Sequence, residues 1–353
     1  MQQILRFSLL SLVFALSTTL GFAAERLPPP KLETQEYREA RAWLIENLHP
    51  DEHAPALRVL HRMMDKMMDY AMSMTRPANT NRPEILRYSM DYTKRDGQTL
   101  HRFNIGYWLG RGYSNGNTRG QNPWEDKEGN MFLIRDKHIV EIGLHFYEDI
   151  GCGCCHWTGY LEYDKELLAD IAKFSKVREI RIQHSNSHAN IDPEGLAKLK
   201  EIEQIDRLTI ERHELCEEIF RSLGQLENMR ELTLIDIFLP GWEDTGFRHY
   251  TTPEFDASYI SHFAPLQNLR LLQIRSNGSS ITSFPHLSGL EELYLYVAEI
   301  SDEALEQIKE LPSIRRIEIK RQYIQEVDVG YRAFTTITES IFQWEEDINE
   351  VEN

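Results

Sequence analysis

Five adjacent residues carry the densest chemistry in the chain. Cys152-Gly153-Cys154-Cys155-His156 reads C-x-x-C-H. With this spacing two thiols can add to the vinyl groups of haem while the adjacent imidazole ligates iron. Met64 and Met67 are the candidates for the other axial position. The same residue types suit a second chemistry. Cys152, Cys155 and His156, with His184, His188 and His213, are the thiolate and imidazole ligands that zinc and copper take, although no standard zinc spacing occurs. The third and plainest chemistry is a disulfide. Cys152, Cys154, Cys155 and Cys216 are the four cysteines of the chain, and in an oxidising compartment they pair within 152–155 or across to Cys216. The expectation is a chain without a cofactor, haem c or zinc being the groups this cluster could take.

A disulfide needs an oxidising compartment, and the N-terminus predicts one. Arg6 precedes an apolar stretch from Phe7 to Phe22, and Gly21 and Ala23 are small residues at the −3 and −1 positions of a cleavage after Ala23. Residues 1–23 therefore read as a secretory signal peptide. The apolar run is shorter than the roughly 20 residues a helical span requires. The expected destination is periplasmic or extracellular. Residues 24–33 follow as a linker stiffened by Pro28-Pro29-Pro30.

The elements that must position the rim chemistry come from an internal repeat. From Ile300, apolar residues fall at offsets 0, 4, 5, 8, 11, 14, 17 and 19: Ile300, Ala304, Leu305, Ile308, Leu311, Ile314, Ile317 and Ile319. Starts at Tyr163, Ile191, Leu215 and Phe255 follow the same template, and Gly195 is its one exception. At 41% hydrophobic content, chance would make more than half of those positions polar. Offsets 14, 17 and 19 read LxxLxL and end in strand alternation, whereas offsets 4, 5, 8 and 11 carry helical spacing. Offset 1 holds Asp164, Asp192, Cys216, Asp256 and Ser301, four of them side chains able to cap a helix N-terminus. Leu290-Leu293-Leu295 and Ile139-Ile142-Leu144 add two shorter copies. Each unit is thus a strand, a loop, a helix and a return, and stacking the units builds one continuous core.

These motifs resemble the leucine-rich-repeat superfamily over residues 137–325, most closely its exported bacterial repeats of about 24 residues with a helical convex side. The position three past the last strand apolar residue, often Asn or Cys in that family, holds Ser185, His213, Ile237, Asn277, Ala298 and Gln322 here. The resemblance implies an α/β solenoid with a parallel sheet on its concave side that binds a partner there, usually a protein, and it does not imply catalysis. On that face the outward positions of LxxLxL include Arg181, Arg275, Tyr294 and Tyr296. Arg275, Tyr294 and Tyr296 fall on adjacent strands, and Arg and Tyr are frequent anchors of interfaces.

The strand-to-helix connections from Leu144 to Tyr163 and from Leu234 to Phe255 are the longest. They leave one edge of the repeat array, which gathers the cysteines and histidines there. Trp242 in the second insertion serves either to pin that loop or to join the binding surface. Before the repeats, residues 34–75 read as a helical hairpin, with Trp43, Leu44 and Leu48 on one face and Leu57, Leu60, Met64, Met67, Ala71 and Met74 on the next. Residues 76–136 are poor in pattern and are expected to be irregular. After the repeats, 326–353 is expected to form a capping helix through Ile337, Ile341, Trp344 and Ile348, followed by an acidic tail.

The chain of 353 residues has a formal charge of −17, and the outward strand positions mix both signs, which argues against nucleic acid as partner. No nucleophile elbow, HExxH or paired-carboxylate motif occurs. The functional expectation is a secreted, non-enzymatic binding module for a protein or peptide, the alternative being a redox or metal protein that uses the Cys/His rim.

Overall fold

A computed structural model describes residues 35–74, 86–95, 97–107, 130–146, 162–184, 189–211, 213–235, 237, 257–276, 280–328 and 332–345. The chain is mixed α/β. Eleven strands form one sheet in the order β1 (Leu86–Arg95), β2 (Gln98–Tyr107), β3 (Asn130–Arg135), β4 (His138–Phe146), β6 (Glu179–His184), β8 (Arg207–Glu211), β10 (Glu231–Ile235), β11 (Leu271–Arg275), β13 (Glu292–Val297), β15 (Arg316–Asp328) and β16 (Arg332–Glu345). The seven from β4 to β15 run parallel, and antiparallel pairs extend the sheet at both ends. The missing numbers belong to short strands that pair just beyond the main ones: β5 (Glu162–Tyr163), β7 (Ala189–Ile191) and β9 (His213–Glu214) in one group, β12 (Ser280–Ile281) and β14 (Glu299–Ile300) in another.

The parallel strands stand in register. Ile180, Leu208, Leu232, Leu272, Leu293 and Ile317 are successive Cα partners, and each is fully or almost fully buried. The helical offsets fill the same core. In the unit from Tyr163 to Ile182, every template residue has no exposed surface. Helices α3 (Lys165–Ile171), α4 (Pro193–Lys198) and α6 (Asp302–Lys309) begin where the sequence offers a cap, and α5 (Glu217–Leu223) begins after Cys216, whose side chain caps nothing. Asp164 Oδ1 accepts from Leu167 N at 2.8 Å, Asp192 Oδ1 from Gly195 N at 2.6 Å and Ser301 Oγ from Ala304 N at 3.1 Å, each satisfying a first-turn donor. The unit starting at Phe255 carries a 3-10 helix, Ala257–Phe263, in place of an α-helix.

Gly195, the exception to the apolar template, has a steric cause. A Cβ there would stand 2.8 Å from Lys165 Cα, so α4 packs against the backbone of α3 where no side chain fits.

A repeated main-chain bond joins the units at the start of each strand. The carbonyls of Arg178, Asp206, Arg230, Arg270 and Glu291 each accept two backbone N–H groups from the next unit, at 2.8–3.1 Å.

Ahead of the parallel strands come helices α1 (Gln35–Asn47) and α2 (Pro50–Met74). Leu44, Leu48, Leu60 and Met63 belong to the common core, and Trp43 stacks on Phe103 of β2 at 5.9 Å. Two buried carboxylates tie α2 to the rest of the chain. Asp170 of α3 receives Arg58 Nε at 2.6 Å and Arg62 Nε at 3.3 Å, and Glu52 accepts from Ile139 N at 2.9 Å and contacts His138 Nδ1 at 3.0 Å.

Two sequence expectations need correction. The segment 76–136 holds β1, β2 and β3 instead of irregular chain. Gly97, at φ 75°, lies between paired Arg95 and Gln98, a two-residue hairpin connection whose Asp-Gly signal is in the sequence. At the other end, residues 332–345 form strand β16, not a capping helix. The run Thr335-Thr336-Ile337-Thr338 is β-branched and favours strand. The effective apolar step is two residues: Ile319 pairs with Phe342 and Ile317 with Trp344, which directs Phe342 and Trp344 to the core side of the sheet. Phe342 packs against the core with Lys309 Nζ 5.4 Å from its ring centroid. Ile348 lies outside the described residues. Among the described residues, no helix is long and apolar enough to cross a membrane.

Candidate functional site

Strand alternation sends every second residue of the parallel strands away from the core. The register arranges those residues in three rows across the sheet. The middle row runs through Thr233, Gln273, Tyr294 and Glu318, and the row at the strand ends through Ile235, Arg275, Tyr296 and Lys320. Arg275 and Tyr296 are therefore direct neighbours, and Tyr294 sits one step back beside Gln273.

The two tyrosines are held by charges from their own and the next strand. Tyr294 Oη donates to Glu292 Oε2 at 2.6 Å, and Tyr296 Oη donates to Glu318 Oε1 at 2.8 Å. Lys320 Nζ reaches the same Glu318 oxygen at 2.5 Å. Each ring also lies beneath a cation: Arg316 Cζ is 5.4 Å from the Tyr294 centroid, and Lys320 Nζ is 5.4 Å from that of Tyr296. Burial, and then the Glu292 carboxylate, push the Tyr294 phenol up to about 12. Burial followed by Glu318 raises that of Tyr296. The hydrogen bond from Lys320, and then that from Tyr296, hold the Glu318 carboxyl below its ordinary value. At neutral pH the cluster thus presents two neutral phenols whose hydroxyl oxygens retain lone pairs for an incoming donor. Three cations and two carboxylates surround them. The two phenols, Glu292, Glu318 and Lys320 are held in place before any partner arrives, which lowers the entropy lost on binding.

Arg181 does not join this cluster. It lies on β6, four strands from β13, about 19 Å away at the usual strand spacing, and its Nε donates to Glu179 Oε1 at 2.5 Å. Glu179 also faces Arg207 at 3.4 Å, so that end of the face carries an ion-pair network of its own. Trp242 lies outside the described residues. Glu292, Arg316, Glu318 and Lys320 complete the tyrosine cluster and were not singled out from sequence. Their signal is the two-residue strand step, which places Glu292 beside Tyr294 on β13 and puts Arg316, Glu318 and Lys320 on one face of β15.

On the Cys/His rim, Cys152, Cys154, Cys155, His156 and His188 fall outside the described residues, as does the side chain of His184. His213 has no exposed surface and meets the ring of Tyr163 edge-on at 5.1 Å, so it is packed in the interior. Met64 is 2% exposed and its sulfur receives the hydroxyl of Tyr88 at 3.2 Å. Among the described residues, no three His, Cys, Asp or Glu side chains are grouped to hold a metal ion. Cys216, the one cysteine among them, is a half-buried free thiol at the start of α5, and burial raises its pKa. Alkylation of the purified protein under denaturing, non-reducing conditions is expected to label Cys216, read by peptide mass spectrometry. An unlabelled Cys216 would assign it to a disulfide.

Compared with protein-family models and with curated proteins, the chain matches none.

Proposed function

We propose that the chain is an exported leucine-rich-repeat module whose parallel sheet recognises a protein or peptide partner, without catalysis and without need of a cofactor. The repeat reading draws support from the in-register column of Ile180, Leu208, Leu232, Leu272, Leu293 and Ile317. Arg6 with the apolar stretch that follows it supports export. One observation carries the binding role: Arg275, Tyr294 and Tyr296 stand together on the half-exposed face, with the phenols already oriented by Glu292 and Glu318. Oriented tyrosines flanked by arginines are the side chains that most often dominate the energy of a protein interface. Mixed charge within the patch favours a partner with both donors and acceptors, as a polypeptide has.

The test is a double substitution, Tyr294→Ala with Tyr296→Ala. Tagged wild-type protein is incubated with an extract of its native envelope, and recovered partners are quantified by mass spectrometry. The partner that wild type enriches is expected to fall at least about tenfold with the double variant, the effect of losing a single anchor. A circular-dichroism melt checks that the variant is folded. Equal recovery by a folded variant removes the binding role from this face.

A further inference from the structure

The edge of the sheet where strands begin, opposite the Cys/His rim, carries a cleft of about 360 Å³. Among its lining residues are Arg178, Asp206, Arg230, Asn268 and Arg270. Arg178, Arg230 and Arg270 supply three positive charges, and Asp206 and Glu203 two negative ones, so the cleft is locally positive (3 − 2) in a chain of charge −17.

The order of those charges is informative. The residue preceding each strand reads Arg178, Asp206, Arg230, Arg270, Glu291, Arg315 from β6 to β15. Signs alternate along this column except at one step, where Arg230 and Arg270 stand side by side on β10 and β11. Elsewhere cation and carboxylate meet: Arg178 Nη2 donates to Asp206 Oδ2 at 2.7 Å, and Arg270 Nε lies 3.8 Å from Glu291 Oε1. Asp206 is engaged a second time by Arg207 Nε at 3.6 Å. Arg230 has no carboxylate partner among the described residues. Backbone bonds hold the pair at fixed spacing, since the carbonyl of Arg230 accepts from Arg270 N at 2.8 Å and Leu271 N at 3.0 Å. Asn268 Nδ2 braces the turn by donating to Glu227 O at 3.0 Å. Like charges on adjacent residues of a rigid edge repel each other. An anion seated between them reverses the sign of that interaction, and guanidinium presents paired donors that match the oxygens of carboxylate and phosphate.

We propose that this cleft is an oxyanion site in which Arg230 and Arg270 jointly hold a phosphate or carboxylate group of a ligand. The site is independent of the tyrosine face, and its failure would leave the reading of that face untouched.

Thermal unfolding of the full-length protein is followed against inorganic phosphate and, separately, against glutarate, at constant ionic strength maintained with chloride. A saturable rise in Tm with at least one of the two is expected, because a ligand of the folded state alone stabilises it. The probe that saturates at the lower concentration identifies the ligand group as phosphate or carboxylate. Arg230→Gln and Arg270→Gln are each expected to weaken that binding about tenfold. Both side chains are exposed and both substitutions leave the backbone acceptors in place. Lys94→Gln, which removes a positive charge on β1, should leave binding unchanged. Arg270→Lys retains the charge without the paired donors and should fall between wild type and Arg270→Gln. Absence of saturable binding by both probes overturns the site. So does saturable binding that neither arginine-to-glutamine substitution weakens.

Discussion

Asp170→Ala is expected to lower folding stability by about 3 kcal/mol, because removal of one partner leaves the opposing charge poorly solvated. The carboxylate side chain is 5% exposed and receives Arg58 Nε at 2.6 Å, Arg62 Nε at 3.3 Å and Lys173 Nζ at 2.9 Å. Arg58 is itself largely covered, so its guanidinium cannot regain full hydration when the partner disappears. The pH dependence follows from the same contacts. Burial by itself would raise the Asp170 carboxyl, but the hydrogen bonds from Lys173 and Arg58 outweigh it and hold the carboxyl below its ordinary value. A carboxyl depressed in the folded state binds its proton more readily once unfolded. Its stabilising contribution is therefore complete above the unfolded value of about 3.9 and disappears as pH falls through the lower, folded value. Urea unfolding should show the full difference between wild type and Asp170→Ala at pH 7, and a shrinking difference below about pH 4. A difference below about 1 kcal/mol at pH 7 would mean that the Asp170 contacts add little to the hold on α2.

Gly224→Ala is expected to cost about 3 kcal/mol, at the upper end for overpacking. The new Cβ would stand 2.0 Å from the carbonyl oxygen of His262, where α5 meets the 3-10 helix of the next unit. The obstacle is backbone and cannot swing aside as a side chain could. Gly224 has φ −61°, an ordinary right-handed value, so the restriction is one of space and not of conformation. Gly97 provides the contrast. Nothing lies within 4 Å of its absent Cβ, but its φ is +75°, and Gly97→Ala should cost only about 1–2 kcal/mol through strain. Equilibrium urea unfolding of both variants separates the two causes. Equal and small losses would show that α5 and its neighbour can move apart freely.

Legibility in the sequence followed the cost of violating each pattern. The column from Ile180 to Ile317 was readable because a one-residue shift would expose every member of the strand. Gly195 broke the template on the page, yet the reason for it, the backbone of α3, belongs to another unit and leaves no local trace. β1 was legible in LRYSMDYTKR, where Leu86, Tyr88, Met90 and Tyr92 alternate with Arg87, Ser89, Asp91 and Thr93 at the strand step, but the apolar face is only partly covered, Met90 and Tyr92 being exposed as on an edge strand. β16 was misread because Ile337, Ile341 and Trp344 satisfy helical spacing by coincidence, while the Thr-rich run before them favoured strand. At the site, the proximity of Arg275 to Tyr296 followed directly from register. That the phenols lean on Glu292 and Glu318 depends on rotamers, which spacing does not specify. The arginine cleft has no sequence signal because its residues sit just ahead of the strand template, outside the repeated apolar positions.

The paired acceptors at the strand entries have a consequence for how this chain can vary. Since those bonds belong to the peptide backbone, any residue type except proline, which lacks the N–H, can occupy the positions and still keep them. The backbone part of the cohesion between the layers thus does not depend on the charge along that border, and the exposed ion pairs there add little to it. A lineage could invert a sign there, or open and close a pair of like charges, without loosening the stack, so the border is free to acquire and discard small ligands while the scaffold beneath it stays as it is.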